Sequence, residues 1–126
     1  MDSAAGCRHV VVVVEDETFI RLFTCEALVD AGFNVFEAQH ADEALDILRA
    51  RGQQVHALFT DVHLPGSIDG LALAHLSRAT WPWIVLLIAS GRARPLADEM
   101  PVASRFLPKP YETDRVVRHL REMIPA

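Results

Sequence analysis

Five side chains in this sequence could do chemistry together, and each stands just beyond a short apolar run. Glu15 and Asp16 follow a run of valines, Asp61 follows residues 55–60, Ser90 follows residues 84–89, and Lys109 follows residues 105–108. If those runs end at one edge, three carboxylates crowd a single point, and at least one would tend to hold a proton. A divalent cation resolves the conflict. Carboxylate oxygens and water suit Mg2+ (or Mn2+), which takes one or two protein carboxylates and keeps several waters. Ser90 and Lys109 are poor metal ligands but suit a phosphoryl group, one as a hydroxyl donor and the other as an ammonium charge. A carboxylate between such partners describes an aspartyl-phosphate site. Asp61 would attack phosphorus while the cation, Lys109 and Ser90 neutralise the equatorial oxygens.

The elements that must position these groups are legible from pattern. Residues 9–14 are almost pure valine, and β-branched residues without alternation read as a strand buried on both faces. Residues 18–31 carry Ile20, Phe23, Ala27 and Ala31 at helical period with Leu28 beside them, and Gly32 is the expected C′ residue. Residues 33–36 read as a second strand. Ala41, Ala44, Leu45 and Leu48 define a second helix, with acids in its first turn, arginines in its last and Gly52 after it. A third strand covers 55–60, and Leu71, Ala74 and Leu76 open a helix that Pro82 breaks. Residues 84–88 and 105–107 are the last strands, and Val116, Val117, Leu120 and Ile124 stripe a final helix. Strand and helix alternate, so the expected architecture is α/β: a doubly wound five-stranded parallel sheet, flavodoxin-like in order 2-1-3-4-5, as one domain of residues 1–126 with its core at 9–124. Ligands of such sheets bind at the carboxyl ends of the strands.

Between Ser90 and Lys109 stand 18 residues. A helix, a strand and two loops of ordinary length need roughly 24, and Pro95 and Pro101 intervene. The expectation there is a short or irregular fourth helix.

Composition bounds the rest. With 126 residues and a net charge of −5, the chain is one acidic domain, which argues against a nucleic-acid surface. No apolar run is long enough to span a bilayer, and the first six residues are too short and polar for a leader. Cys7 and Cys25 fit no metal or redox spacing and read as reduced thiols in a cytoplasmic protein. The six histidines show no paired ligand spacing. Arg115, Arg118 and Arg121 read as a solvated face.

Four segments together carry a family resemblance. They are Val13-Val14-Glu15-Asp16-Glu17, Asp61-Val62-His63-Leu64-Pro65 with Asp69-Gly70, Ala89-Ser90-Gly91, and Phe106-Leu107-Pro108-Lys109-Pro110-Tyr111. Over residues 9–124 the chain resembles the receiver domains of bacterial two-component response regulators, similar to the single-domain chemotaxis type. The resemblance implies that Asp61 is the phosphoacceptor. Asp16 would ligate Mg2+ directly, Glu15 through water or directly, and the backbone carbonyl of His63 would complete the set. It implies that Ser90 bonds the phosphoryl oxygen, that Lys109 pairs with Asp61 and precedes a cis proline, and that Phe106 is the rotating switch residue. Implied partners are a histidine kinase or histidine phosphotransfer protein and a downstream protein. The chain would be a monomer or a phosphorylation-dependent dimer, with no direct contact to nucleic acid or membrane. It would be no enzyme beyond catalysing its own phosphorylation and dephosphorylation.

Departures from the family are also present. Glu15 stands where Asp is commoner, the loop of residues 65–70 is one residue longer, and the segment after Ser90 is shortened where the family has its output face. The position of His63 also invites a role gating water at Asp61. Two other readings compete: a constitutive adaptor that does not signal by phosphate, and a phosphatase with an aspartyl nucleophile. The second wants an acid two residues after the nucleophile, where this chain has His63.

Overall fold

Residues 8–92 and 94–125 are described by the structure, a computed structural model. Cys7 and the six residues before it lie outside the described residues, as do Ala93 and Ala126. The described residues form β1 (Val10–Val14), α1 (Thr18–Asp30), β2 (Asn34–Ala38), α2 (Ala41–Arg51), β3 (Ala57–Asp61), α3 (Gly70–Thr80), β4 (Val85–Ser90), β5 (Arg105–Pro108) and α4 (Thr113–Met123). Short 3-10 turns occupy Gly52–Gln54 and Ala97–Glu99. All pairings are parallel and the strand order is β2-β1-β3-β4-β5, the order expected from the alternation.

The three central strands, β1, β3 and β4, are buried on both faces because they are almost wholly apolar. The edge strands β2 and β5 carry exposed or half-buried polar residues such as Asn34, Glu37 and Arg105. Val12, Val14, Leu58, Leu86 and Ile88 face one layer with Leu45, Leu48 and Leu73. Val11, Val13, Phe59, Leu87 and Leu107 face the other with Leu28, Val116 and Leu120. So α2 and α3 cover one face, and α1 and α4 the other. Register brings the strand ends to one rim. Asp61 pairs with Ala89, and Ser90 with Pro108. Beyond the ladders, Val62 N–H donates to Ala89 O at 2.8 Å and Lys109 N–H to Ser90 O at 2.9 Å, which carries the order into the loops.

One expectation fails in phase. The stripe Ile20–Phe23–Ala27–Ala31 is not the inward face of α1. The structure buries Arg21, Thr24, Cys25 and Leu28 instead, and leaves Phe19 70% and Phe23 64% exposed. Two polar residues share the buried face, so an apolar count selects the wrong side of the helix. They can sit there because both are satisfied: Thr24 Oγ1 is 3.0 Å from the Tyr111 hydroxyl, and Arg21 finds acceptors described below. Gly52 also differs from expectation. It keeps helical φ/ψ rather than reversing the chain. A Cβ there would stand 2.4 Å from Trp81 Nε1, so its small size serves the indole packed on it. Gly32, at φ +101°, is the C′ glycine expected. The second strand begins at Asn34 and not at Phe33, which is buried against the α1/α4 layer.

The connection from β4 to β5 holds a single 3-10 turn, Ala97–Glu99, among its described residues. Most of its bonds are local: Arg92 N–H to Ser90 Oγ, Leu96 N–H to Glu99 Oε1, and Ser104 N–H to Pro101 O, while the Glu99 carbonyl reaches His75 Nε2 of α3 at 2.7 Å. Pro101 is buried, Met100 packs on the α2/α3 layer and Glu99 O is tied to His75, so the stretch is pinned over residues 99–101 and residues 94–98 are largely exposed. Amide hydrogen exchange is therefore expected to run at least about a thousandfold faster across residues 94–99 than across 86–88 of β4. Equal protection in the two stretches would contradict an irregular connection.

Candidate functional site

The rim site is assembled from loops at the ends of four strands. β1 ends at Val14, and the acids follow in extended and turn backbone, with Glu17 as the N-cap of α1. None of the three lies in the first turn of the helix. Glu15 is buried at 4% exposure while Asp16 is exposed. Asp61, the last residue of β3, is buried at 8%. Glu15, Asp16 and Asp61 each place a carboxylate oxygen within 4.8 Å of the other two. Lys109 reaches in from beyond β5. Its Nζ donates to Glu15 Oε1 at 2.6 Å and to Asp61 Oδ2 at 3.1 Å. The Lys109–Pro110 peptide is cis.

Electrostatics follows from that geometry. Burial pushes the Glu15 carboxyl above its ordinary value and Asp61 adds to the rise, against the pull of Lys109 and of the Glu17 N–H. Burial alone would lower the Lys109 ammonium. The hydrogen bond to Glu15 and the charges of Asp61 and Glu15 outweigh it and hold Lys109 above its ordinary value. The lysine is therefore a fixed positive charge at any ordinary pH.

The fit of the carboxylate set to a cation turns on which of its oxygens are free. Glu15 has both oxygens engaged, Oε1 by Lys109 and Oε2 by the Glu17 N–H at 3.1 Å. Asp61 Oδ1 is buried and has no hydrogen-bond partner among the described residues. An orphaned carboxylate oxygen facing two further carboxylates is costly unless something positive satisfies it. Three carboxylates with exposed Asp16 at the mouth fit a hard divalent cation such as Mg2+.

The other expected residues are placed less uniformly. Ser90 is at the rim and buried at 1%, but its Oγ accepts the Arg92 N–H at 3.1 Å and makes no bond to Asp61 or Lys109. His63 is exposed on the loop after β3. Phe106 is half-buried on the α2/α3 layer, with the Arg94 guanidinium 5.2 Å above its ring. Arg115, Arg118 and Arg121 are exposed, as a solvated face should be.

Three supporting residues were given no role from the sequence: Gly70 and Tyr111 stood only inside the matching segments, and Arg21 was not singled out. Gly70 opens α3 where a Cβ would stand 1.7 Å from Asp61 O. Tyr111 stacks edge-on to Phe59 at 5.6 Å and lines, with Ile20, Gly91, Lys109 and Pro110, a cleft of ≈ 350 Å³ beside the site. Arg21 is buried against Glu15. Only Gly70 left a signal, its position between the loop and an apolar helix stripe. Arginine and tyrosine at these positions read as surface residues until the fold closes.

Comparison with known proteins agrees with this geometry. The family model for the response regulator receiver domain matches residues 11–121. The sensor kinase CckA of Brucella abortus is 34% identical over 117 residues, covering 90% of this chain and 12% of that protein. A putative response regulator, NtrX-like, from Rickettsia felis is 32% identical over 111 residues, covering 85% of this chain and 23% of its own length. The chain thus spans less than a quarter of these relatives. A response regulator receiver protein from Sinorhizobium medicae shares the fold with a TM-score of 0.86, at 23% identity, over 93% of this chain and 94% of its own. No helix among the described residues is long and apolar enough to cross a membrane.

Proposed function

The chain belongs to the response regulator receiver domain family, and on that premise we propose that it is a phosphorylation switch in which Asp61 is the phosphoacceptor. One observation carries the reading. A buried carboxylate has one oxygen held by Lys109 and the other orphaned beside two more acids. That is the arrangement a nucleophile needs when a cation and an ammonium must both reach the group it attacks.

In the proposed reaction an Asp61 oxygen attacks the phosphorus of a phosphohistidine. The P–N bond breaks, the new P–O bond makes an acyl phosphate, and the released imidazole nitrogen takes its proton from solvent. Asp61 and Asp16, with Glu15 acting through water and the His63 carbonyl beside them, would hold Mg2+ or Mn2+. The cation, when bound, neutralises charge on the transferring phosphoryl group. Lys109 keeps its proton and stays within reach of the same group. Burial of Glu15 and Asp61 limits water, which favours phosphoryl transfer over loss. Ser90 Oγ accepts the Arg92 N–H and keeps its own O–H proton to donate, so a shift of Ser90 toward a phosphoryl oxygen would draw Arg92 with it. That rearrangement would pull the start of the β4–β5 connection, and Phe106, packed under Arg94 in the same connection, would respond. A changed surface there would alter binding of a downstream protein.

The donor is proposed to be a histidine kinase or histidine phosphotransfer protein, in line with a sensor kinase and a putative response regulator as relatives. The exposed side of α1 supports a helical donor. Phe19, Leu22 and Phe23 form an apolar face, and Ile20 lines both the groove against Tyr111 and the cleft at Lys109. Apolar docking would thus continue directly into the reacting centre.

Incubation with a small phosphodonor, read on a phosphate-affinity gel, tests the proposal. Wild type is expected to shift only with Mg2+ or Mn2+ present, and Asp61→Asn not at all. A shift without the cation, or an unchanged shift in Asp61→Asn, would overturn it.

A further inference from the structure

Arg21 is a charged residue on the buried face of α1, only 7% exposed, and its contacts are specific. Its Nε donates to Glu37 Oε1 at 3.1 Å, and its Nη1 donates to the main-chain carbonyl of Glu15 at 2.8 Å. That carbonyl belongs to the peptide linking Glu15 to Asp16. On its other side Glu15 is anchored by its own N–H, which donates to Ala38 O at 3.0 Å. Among the described residues Asp16 has no side-chain hydrogen bond that would orient it, whereas Glu15 has three through its carboxylate and N–H. The direction in which Asp16 leaves the backbone is therefore set largely by the peptide that Arg21 holds.

We infer that Arg21 is a positioning residue for the cation site: by clamping the Glu15–Asp16 peptide between α1 and Glu37 of β2, it sets the affinity of the acidic cluster for Mg2+. The inference rests on the cation reading of that cluster. It goes further by assigning a role to a residue that touches neither cation nor phosphoryl group. The guanidinium holds the two acceptors from two separate nitrogens of one planar fork, Nε and Nη1, a geometry that the single nitrogen of a lysine does not reproduce.

The sign of the effect separates this from simple electrostatics. Arg21 is a positive charge near a site for a positive ion, so as a charge it opposes Mg2+. Its removal would tighten binding if charge were all that mattered. As a clamp it favours Mg2+, and its removal loosens binding. Arg21→Lys keeps the charge and loses the fork.

Isothermal titration of Mg2+ into the whole protein tests this, with unfolding midpoints measured on the cation-free proteins. Arg21→Lys is expected to weaken Mg2+ affinity at least tenfold. Leu28→Val, a core change on the same face of α1, is expected to lower the midpoint and leave affinity within twofold. Arg21→Gln, which can still donate one hydrogen bond to the Glu15 carbonyl, is expected to fall between wild type and Arg21→Lys, and it serves in place of Arg21→Lys should that variant not fold. Mg2+ affinity unchanged or tightened in the Arg21 variants would overturn the inference, as would a loss in Leu28→Val as large as that in Arg21→Lys. A wild type that takes up no Mg2+ would instead defeat the cation reading itself.

Discussion

Lys109→Met is expected to slow phosphorylation of the protein by about a hundredfold or more while tightening its hold on Mg2+ by about tenfold. The two effects have opposite signs because Lys109 has two roles at one place. In the proposed reaction its ammonium would supply charge to the transferring group, and removing one such donor from a water-poor site typically costs about 10²–10³ in rate. It also occupies Glu15 Oε1 and Asp61 Oδ2 at 2.6 and 3.1 Å, where it competes with a dication. Removing one partner of a buried pair leaves uncompensated charge, so the cation-free variant is expected to be less stable by about 3 kcal/mol. The loss should depend on pH. The Glu15 pKa is already raised from 4.5 in the fold, and losing Lys109 raises it further. A carboxyl with a raised folded pKa contributes stability below its unfolded value that is lost as pH rises through the folded one. The variant should therefore lose more stability than wild type on going from about pH 5 to pH 8. Calorimetry for Mg2+, phosphorylation rates and urea unfolding at both pH values check the set. Weakened Mg2+ binding in the variant would contradict the competition.

Gly70→Ala carries the second large effect. A Cβ at Gly70 would stand 1.7 Å from Asp61 O and 2.9 Å from Thr60 Oγ1. The first of these is backbone, so no side chain can turn aside. Either α3 moves away from the sheet or the end of β3 shifts. The Gly70 N–H also donates to Val62 O at 2.8 Å, which ties the start of α3 to the loop that follows Asp61. Overpacking of this kind typically costs about 1–3 kcal/mol and displaces backbone. The expected result is a destabilised protein in which Asp61 is displaced from Glu15 and Asp16, with Mg2+ affinity reduced at least tenfold. Gly91→Ala is the control. Its Cβ would meet Lys109 Cβ at 3.6 Å, an ordinary contact, and the variant should retain wild-type Mg2+ affinity. Equal behaviour of the two variants would show that close approach at Gly70 is not what holds the rim together.

The contrast between these residues shows what was legible before folding. Strand exits could be read because an apolar run stopping at an acid, a serine or a lysine is a local pattern, and the right-handed strand-helix alternation brings such exits to one edge. The irregular β4–β5 connection was legible from its length and prolines alone. Gly70 could be read as a loop residue, but its approach to Asp61 O is a distance between elements and has no local signature. Arg21 and Thr24 misled the reading of α1 because their polarity is satisfied by Glu15, Glu37 and Tyr111, none of which is a helical neighbour. The same residues that hid the inward face hold the site, and the apolar side chains they displaced outward form the surface proposed for a donor. Ser90 lies at the rim, at the end of β4, and its Oγ accepts the Arg92 N–H, a contact with no signature in the sequence.

The central claim is that one carboxylate, Asp61, receives the phosphoryl group. Borohydride reduction followed by peptide mapping tests it directly, because an acyl phosphate of aspartate is reduced to homoserine and an unmodified carboxylate is not. After treatment with a small phosphodonor and Mg2+, homoserine is expected at position 61 and nowhere else. Homoserine at Asp16 or another acid, or phosphate uptake with no reducible aspartate, would contradict it.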